Sequence, residues 1–383
     1  MSSARGSARV LHIHGSLAAS DPQAERCLRV IAALDPAMRH TLVAGDGDFG
    51  ALDTLRIGGA LERRTEFPAL AGAPLPGRLQ ALARAMRDYH LVLTYGRGGV
   101  QSALAHTLFT EMLGLPPLIH HEDGSDETPR QRRGFRSTWY RRVGLGKAAG
   151  LVVPTELMEG EALVRWQQPL GRVKMIRDGV DLARLGKPAR TDAIPRLLKR
   201  PGERWIACLA RFDGSDAPEA LLPAIQALDE SWHVVVAGAG PAGAAFDARA
   251  AESGIEHRVH RLAVLPDPDT LVRLADLVYL PGSPEPLPRI AITAMGAGKA
   301  VAGFDGPDSE IAASLAPDNR PFLIRSGDNA ALAAALGQLA ADELLRRRTG
   351  EANRERALAD RSDQAMFASY RRLYDSALSF APR

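Results

Sequence analysis

Short apolar runs alternate with longer helical patterns along this 383-residue chain, and they do so in two successive series. The first series places runs at 10–14, 41–44, 91–94, 118–121 and 150–154, with helical stretches at 24–34, 78–88 and 102–113 among them. The second places runs at 205–209, 233–237, 259–262, 277–280, 300–303 and 321–324. Runs this short and this apolar read as strands buried on both faces, and strands joined through helices return parallel by right-handed crossovers. A chain of this length also exceeds what one hydrophobic core organises. The pattern predicts an α/β protein of two doubly wound domains, with the proline- and charge-rich stretch 186–203 as a linker.

Composition excludes several classes. With 45% hydrophobic and 24% charged residues the chain is an ordinary globular protein. A formal charge of +3 is too weakly basic to indicate a nucleic-acid partner. Cys27 and Cys208 stand far apart in apolar contexts, which argues against a disulfide scaffold or a zinc site and for a reducing compartment. The opening MSSARGSARVLHIHG lacks the apolar core of a secretory signal, and no run approaches the roughly 20 residues of a membrane span. A cytoplasmic protein, free or peripheral on a membrane, is expected. His14, His106 and His257 have no second ligand at metal spacing, so no metal is expected. Neither a nucleophile elbow nor a Walker loop is present.

Four segments carry chemistry. Residues 279–301, YLPGSPEPLPRIAITAMGAGKAV, read as a strand, a proline-rich turn and a helix whose unpaired N–H groups and dipole favour a phosphate. Glu285 stands at the mouth of that turn, and Arg289 in the first helical turn, where the dipole disfavours a cation unless an anion joins it. At 234–243 a strand runs into Gly238, Gly240 and Gly243, with Glu256 beyond them, a dinucleotide-type spacing that a tight packing turn explains as well. In 120–142 the acids Asp123, Asp126 and Glu127 precede six arginines around Phe135, Trp139 and Tyr140. The acids suit an acceptor sugar or a helix cap. The arginines with aromatics suit an anionic membrane surface, although a solvated helix face explains the charges alone. Finally, 342–378 is Arg-rich and helical in period, with Phe367, Tyr370, Leu373 and Tyr374 at helical spacing.

In their order these segments resemble the retaining glycosyltransferases of the GT-B fold, family four. RVLHIHGSLAASDPQAER is similar to that family's first strand, loop and helix, and LVLTYGRGGVQSALAHTL to the strand and helix that follow. PLIHHEDGSDE puts His121 where a functional histidine commonly ends a strand. LVVPTELM, VKMIRDGVDLARL and IACLARFD follow, the last placing Arg211 where active members contact the donor diphosphate. The resemblance implies two Rossmann-like domains, 1–184 for the acceptor and 185–360 for the nucleotide sugar, with 361–383 returning to the first. It implies transfer of a hexose from a UDP- or GDP-type sugar to a carbohydrate or glycolipid acceptor, without cofactor, as in bacterial envelope assembly. His121 and Glu285 are then the candidates at the reacting sugar, Arg211 and Arg289 at the diphosphate, Gly238 and Gly240 beside it, and Thr293 at the nucleoside end.

Three departures from the family pattern agree in sign. Thr293 replaces a second Glu, Asp216 replaces a Lys, and Ser20 and Asp21 replace two loop glycines. Each reduces the cationic or hydrogen-bonding support for a nucleotide diphosphate. A second reading is therefore a GT-B protein that has lost catalysis and binds a glycan or a partner transferase. A flavin or nicotinamide oxidoreductase, resting on the glycine spacing, is the third.

Overall fold

The computed structural model describes residues 8–379 apart from 20, 35, 37, 54–59, 125–128, 215, 217, 264, 266, 283–286 and 307–308. The chain divides into two units, Met1–Arg177 with Ala365–Arg383, and Asp178–Gln364.

The first unit holds strands β1 (Arg9–His14), β2 (Arg39–Ala44), β3 (Ala60–Arg63), β4 (Leu91–Tyr95), β5 (Leu118–His121), β6 (Gly150–Val153) and β7 (Val173–Met175). They form one parallel sheet in the order β3-β2-β1-β4-β5-β6-β7. Its helices are α1 (Pro22–Ala33), α2 (Pro76–Met86), α3 (Gly96–Leu113), α4 (Pro129–Arg132), α5 (Phe135–Gly144) and α6 (Glu156–Gly160). Alternating side chains enter two cores. Leu11, Ile13 and Val43 meet one, whereas Val10, Leu42 and Leu91 meet the other. Burial on both faces is why the strand sequences are continuously apolar.

The second unit repeats the plan with β8 (Arg204–Leu209), β9 (Trp232–Ala237), β10 (Val259–Leu262), β11 (Leu277–Leu280), β12 (Ala300–Asp305) and β13 (Leu323–Arg325), ordered β10-β9-β8-β11-β12-β13. Its helices are α7 (Leu182–Leu185), α8 (Leu221–Ala227), α9 (Gly243–Glu252), α10 (Pro268–Leu274), α11 (Arg289–Gly296), α12 (Ile311–Ser314), α13 (Asn329–Ala341) and α14 (Glu343–Asp360).

The stretch expected to be a linker packs instead on this second unit. Ile194 is buried in its core, and the Lys199 ammonium bonds the Leu274 carbonyl at 2.7 Å and the Asp276 carboxylate at 2.6 Å. The C-terminal helical segment is two helices, α14 and α15 (Asp363–Ser379). Between them the Val180 N–H donates to the Arg361 carbonyl at 2.9 Å and the Asp363 N–H to the Val180 carbonyl at 3.2 Å, which breaks the helical ladder. Helix α15 returns to the first unit, burying Met366, Tyr370, Tyr374 and Ala377 in a core of its sheet.

Candidate functional site

Parallel strands gather their carboxyl ends, and the loops that follow them, at one edge of a sheet. In the second unit that edge carries Arg211, just past β8, and the N-terminus of α11, reached from the neighbouring strand β11. The Asp216 carboxylate is buried there. It accepts the Arg211 backbone N–H at 2.7 Å and the Arg211 guanidinium at 3.1 Å. The anion that replaces a cation in the family pattern is thus the counter-ion and positioner of Arg211.

Helix α11 has no side-chain cap on its Pro288 N-cap, and its first turn carries no acid. The Arg289 guanidinium lies 3.2 Å from both oxygens of Asp269, and the buried Thr293 hydroxyl donates to one of them at 3.4 Å. Asp269 belongs to the first turn of α10. Sequence reasoning did not single it out, because in PDPDT it reads as an ordinary helix-start acid. Glu285 lies in 283–286, outside the described residues.

Gly238 and Gly240 have φ of 156° and 150°. A Cβ on Gly238 would stand 1.7 Å from the Ala210 carbonyl oxygen, and one on Gly240 2.4 Å from that of Phe212. The two loops are stitched together there, with the Phe212 N–H donating to the Ala239 carbonyl at 3.2 Å and the Ala242 N–H to the Phe212 carbonyl at 2.9 Å. Backbone packing alone accounts for both glycines.

At the carboxyl edge of the first sheet lies a cavity of about 980 Å³. Its floor is a close crossing of Gly15 and Gly98, where a Cβ on Gly98 would fall 2.3 Å from the Gly15 Cα. One wall, 70–72, is held by Arg78, whose guanidinium donates to the carbonyls of Ala69, Ala71, Gly72 and Ala73 at 2.9–3.1 Å and bonds Gln101. Asp21, also lining the cavity, caps α1 by accepting the Gln23 N–H at 2.9 Å. Burial, then the neighbouring Asp123 charge, pushes its carboxyl up to about 6. Asp123 itself is buried and paired with Arg26 at 3.0 Å.

Arg97, Arg136 and Arg141 also line the cavity. Arg141 is buried on Glu122 at 2.6 Å. Burial alone would raise the Glu122 carboxyl, but the charges of Arg141 and His120 hold it at about 2.

His121 is buried beneath this surface. Its ring stacks on Tyr95 at 4.5 Å, and its Nε2 lies 2.8 Å from the Tyr374 hydroxyl of α15. Burial, then His120, lowers its pKa well below the usual histidine value, so it is neutral at pH 7. In this position it ties α15 to the sheet and reaches the cavity through Tyr95, which lines it. In 120–142, Arg132 and Arg133 are paired with Glu161, each at 2.8 Å, and Arg132, like Arg141, is fully buried. The exposed set is Arg130, Phe135, Arg136, Trp139 and Arg142. Asp126 and Glu127 lie outside the described residues. Among the described residues no trio of His, Cys, Asp or Glu is placed to hold a metal ion, and no helix is long and apolar enough to cross a membrane.

Residues 189–356, nearly the whole second unit, match the family model described as glycosyl transferases group 1. The chain carries a group 1 glycosyl transferase domain. A D-inositol 3-phosphate glycosyltransferase of Nocardia farcinica is 32% identical over 193 residues, 47% of this chain and 42% of the relative. Another, of Salinispora tropica, is 29% identical over 311 residues, 73% of this chain and 62% of the relative. The matches thus span less than two thirds of these relatives' own length. Among solved structures, sucrose-phosphate synthase from Thermosynechococcus elongatus superposes with a TM-score of 0.74 at 19% identity, covering 97% of this chain and 99% of that one. Anabaena HepE in complex with UDP gives 0.71 at 18% identity, with coverage of 97% and 99%. The fold is GT-B. Within the group 1 transferase domain, Arg211 and Arg289 each face a buried carboxylate, Asp216 and Asp269, that belongs to the protein itself.

Proposed function

We propose that this protein is a retaining, metal-independent glycosyltransferase that moves a hexose from a UDP- or GDP-type sugar to a carbohydrate or lipid-linked acceptor, in bacterial envelope polysaccharide or glycolipid synthesis. The observation that carries this reading is the arrangement at one edge of the group 1 transferase domain: Arg211 past β8 beside the strand that leads into the uncapped N-terminus of α11, with Arg289 in its first turn. These groups would stabilise negative charge on a departing diphosphate. That diphosphate in turn would help take the acceptor proton on the same face of the sugar. Glu285 would hold donor hydroxyls and Thr293 would meet the nucleoside. His121 would act by fixing Tyr95 and α15 rather than by touching the reacting atoms.

The test is incubation with UDP- and GDP-hexoses, reading nucleotide release and the anomeric configuration of the product. One donor should be turned over with retention, equally in the presence of chelator. Release of no nucleotide by any donor removes the activity. A second reading, a GT-B protein that binds without turnover, is favoured by the internal carboxylates on Arg211 and Arg289. It is supported by nucleotide binding without release.

The exposed Arg130, Phe135, Arg136, Trp139 and Arg142 support a peripheral contact with the anionic inner face of the cytoplasmic membrane.

A further inference from the structure

Two histidines meet at the outer edge of the second sheet. His233 is the second residue of β9, in the run WHVVVA, and His260 is the second residue of β10, the edge strand. The strands are parallel and His260 stands opposite Val235, so His233, two residues back, projects from the same face as a diagonal neighbour. Its Nδ1 lies 3.1 Å from His260 Nε2, the ring planes are 5° apart, and both residues are half-buried. The pair sits near the amino ends of its strands, whereas Arg211 and the N-terminus of α11 lie at the carboxyl edge.

Burial lowers both rings from the usual histidine value. At His233 the Glu203 charge opposes this, while Arg258, His257 and Arg200 add to it; at His260, His233 and Arg200 add to it and Glu203 again opposes. Both rings are therefore neutral at pH 7, the form that binds a metal. Bonds of about 2.1 Å from one ion to two nitrogens 3.1 Å apart close at an angle of about 95°, near the right angle of tetragonal and octahedral ions. The ring that donates across this contact gives up that proton and takes one on its other nitrogen, so each neutral ring presents a lone pair. No third His, Cys, Asp or Glu among the described residues is placed to join them, so water completes the coordination. Imidazole suits copper, nickel and zinc, whereas magnesium and calcium take oxygen ligands.

We infer that His233 and His260 form a two-nitrogen clamp for one divalent transition-metal ion, of the copper, nickel and zinc class, that pins the edge strand β10 to β9. The clamp stands at the opposite end of the strands from the transferase site and is independent of that reading.

Calorimetric titration of the untagged full chain with copper, nickel, zinc, magnesium and calcium chlorides tests it. One transition ion should bind per chain, copper most tightly, with magnesium and calcium silent. His260→Gln and His233→Gln, which keep the volume and a hydrogen-bonding group, should each weaken binding about tenfold or more. Saturating zinc should raise the unfolding temperature of wild type and of neither variant, and the metal-free variants should melt near wild type, which shows them folded. His257, exposed and paired with Glu230 at 3.1 Å, and His90, exposed in the first unit, are the controls: His257→Ala and His90→Ala should bind as wild type does. A clamp between these two rings is refuted by silence from every transition ion, by binding that survives either Gln variant, by an equal loss in His257→Ala or His90→Ala, or by magnesium or calcium binding as tightly as zinc. Turnover of a nucleotide sugar in the presence of chelator is a separate readout, so failure of the clamp and failure of the transferase reading are distinguishable.

Discussion

Replacing Asp216 by Lys, the residue the family pattern places there, should damage this protein rather than restore it. The Asp216 side chain is only 6% exposed and accepts two hydrogen bonds, from the Arg211 N–H at 2.7 Å and from its guanidinium at 3.1 Å. Charge-assisted hydrogen bonds contribute about 1.5–3 kcal/mol each, and removing one member of a buried pair costs about 3–5 kcal/mol. A lysine would leave the backbone N–H without its acceptor and set an ammonium against the guanidinium. With the Arg211 side chain itself 32% exposed, the expected loss is about 2–4 kcal/mol for Asp216→Lys. Asp216→Asn keeps an oxygen for the N–H and should cost about 1–2 kcal/mol, while removing the charge that competes with a diphosphate for Arg211. Urea unfolding of the three proteins measures the first effect, and calorimetric titration with UDP and GDP the second, where Asn should tighten binding about tenfold. A Lys variant as stable as wild type, or an Asn variant with unchanged affinity, refutes the assignment of Asp216 as the internal counter-ion.

Thr293→Glu would place a carboxylate beside Asp269, now 3.4 Å from the Thr293 hydroxyl, in a buried site. It should destabilise by about 2–4 kcal/mol, and Asp269→Asn in the same chain should recover most of that in a double-mutant cycle. The Asp21 carboxyl, pushed by burial and Asp123 from 3.8 up to about 6, makes the native state bind a proton that the unfolded chain has lost, so stability falls as pH rises through that window. Asp21→Asn keeps the cap and should flatten this dependence, adding at most about 3 kcal/mol at pH 7; an unchanged slope between pH 4 and 6 would exclude that cause. On vesicles, Arg130→Ala with Arg136→Ala and Trp139→Ala should abolish a binding that wild type shows to anionic lipid and loses with salt, whereas equal binding to neutral vesicles would end the membrane reading.

The sequence showed what burial on two faces imposes. Central strands such as Leu91–Tyr95 and Leu277–Leu280 are largely apolar runs, buried at every position, and are legible as such. The edge strands Ala60–Arg63 and Val173–Met175 escaped notice because each pairs on one side only, and ALER and VKM carry charges in place of an apolar run. The break between α14 and α15 is imposed by Val180, distant in sequence, and no local signal marks it. At the site, Arg211, Arg289 and Thr293 could be found from spacing, but what each touches could not. By spacing alone Asp216 is a repulsive charge beside a diphosphate, whereas in the fold it binds Arg211, and Asp269, the shared partner of Arg289 and Thr293, carries no motif. His121 ends its strand as expected. Its hydrogen bond to Tyr374 crosses 253 residues, a pairing visible only once α15 is placed on the sheet.

The central claim is that the carboxyl edge of the group 1 transferase domain is a nucleotide-sugar site. Hydrogen exchange read by mass spectrometry, with and without saturating UDP or GDP, tests it most directly. One of the two nucleotides should slow exchange in the peptides spanning 210–216 and 287–296, and in no peptide of β10 or β13, the edge strands of that sheet. Slowed exchange confined to other peptides, or none with either nucleotide, would contradict it.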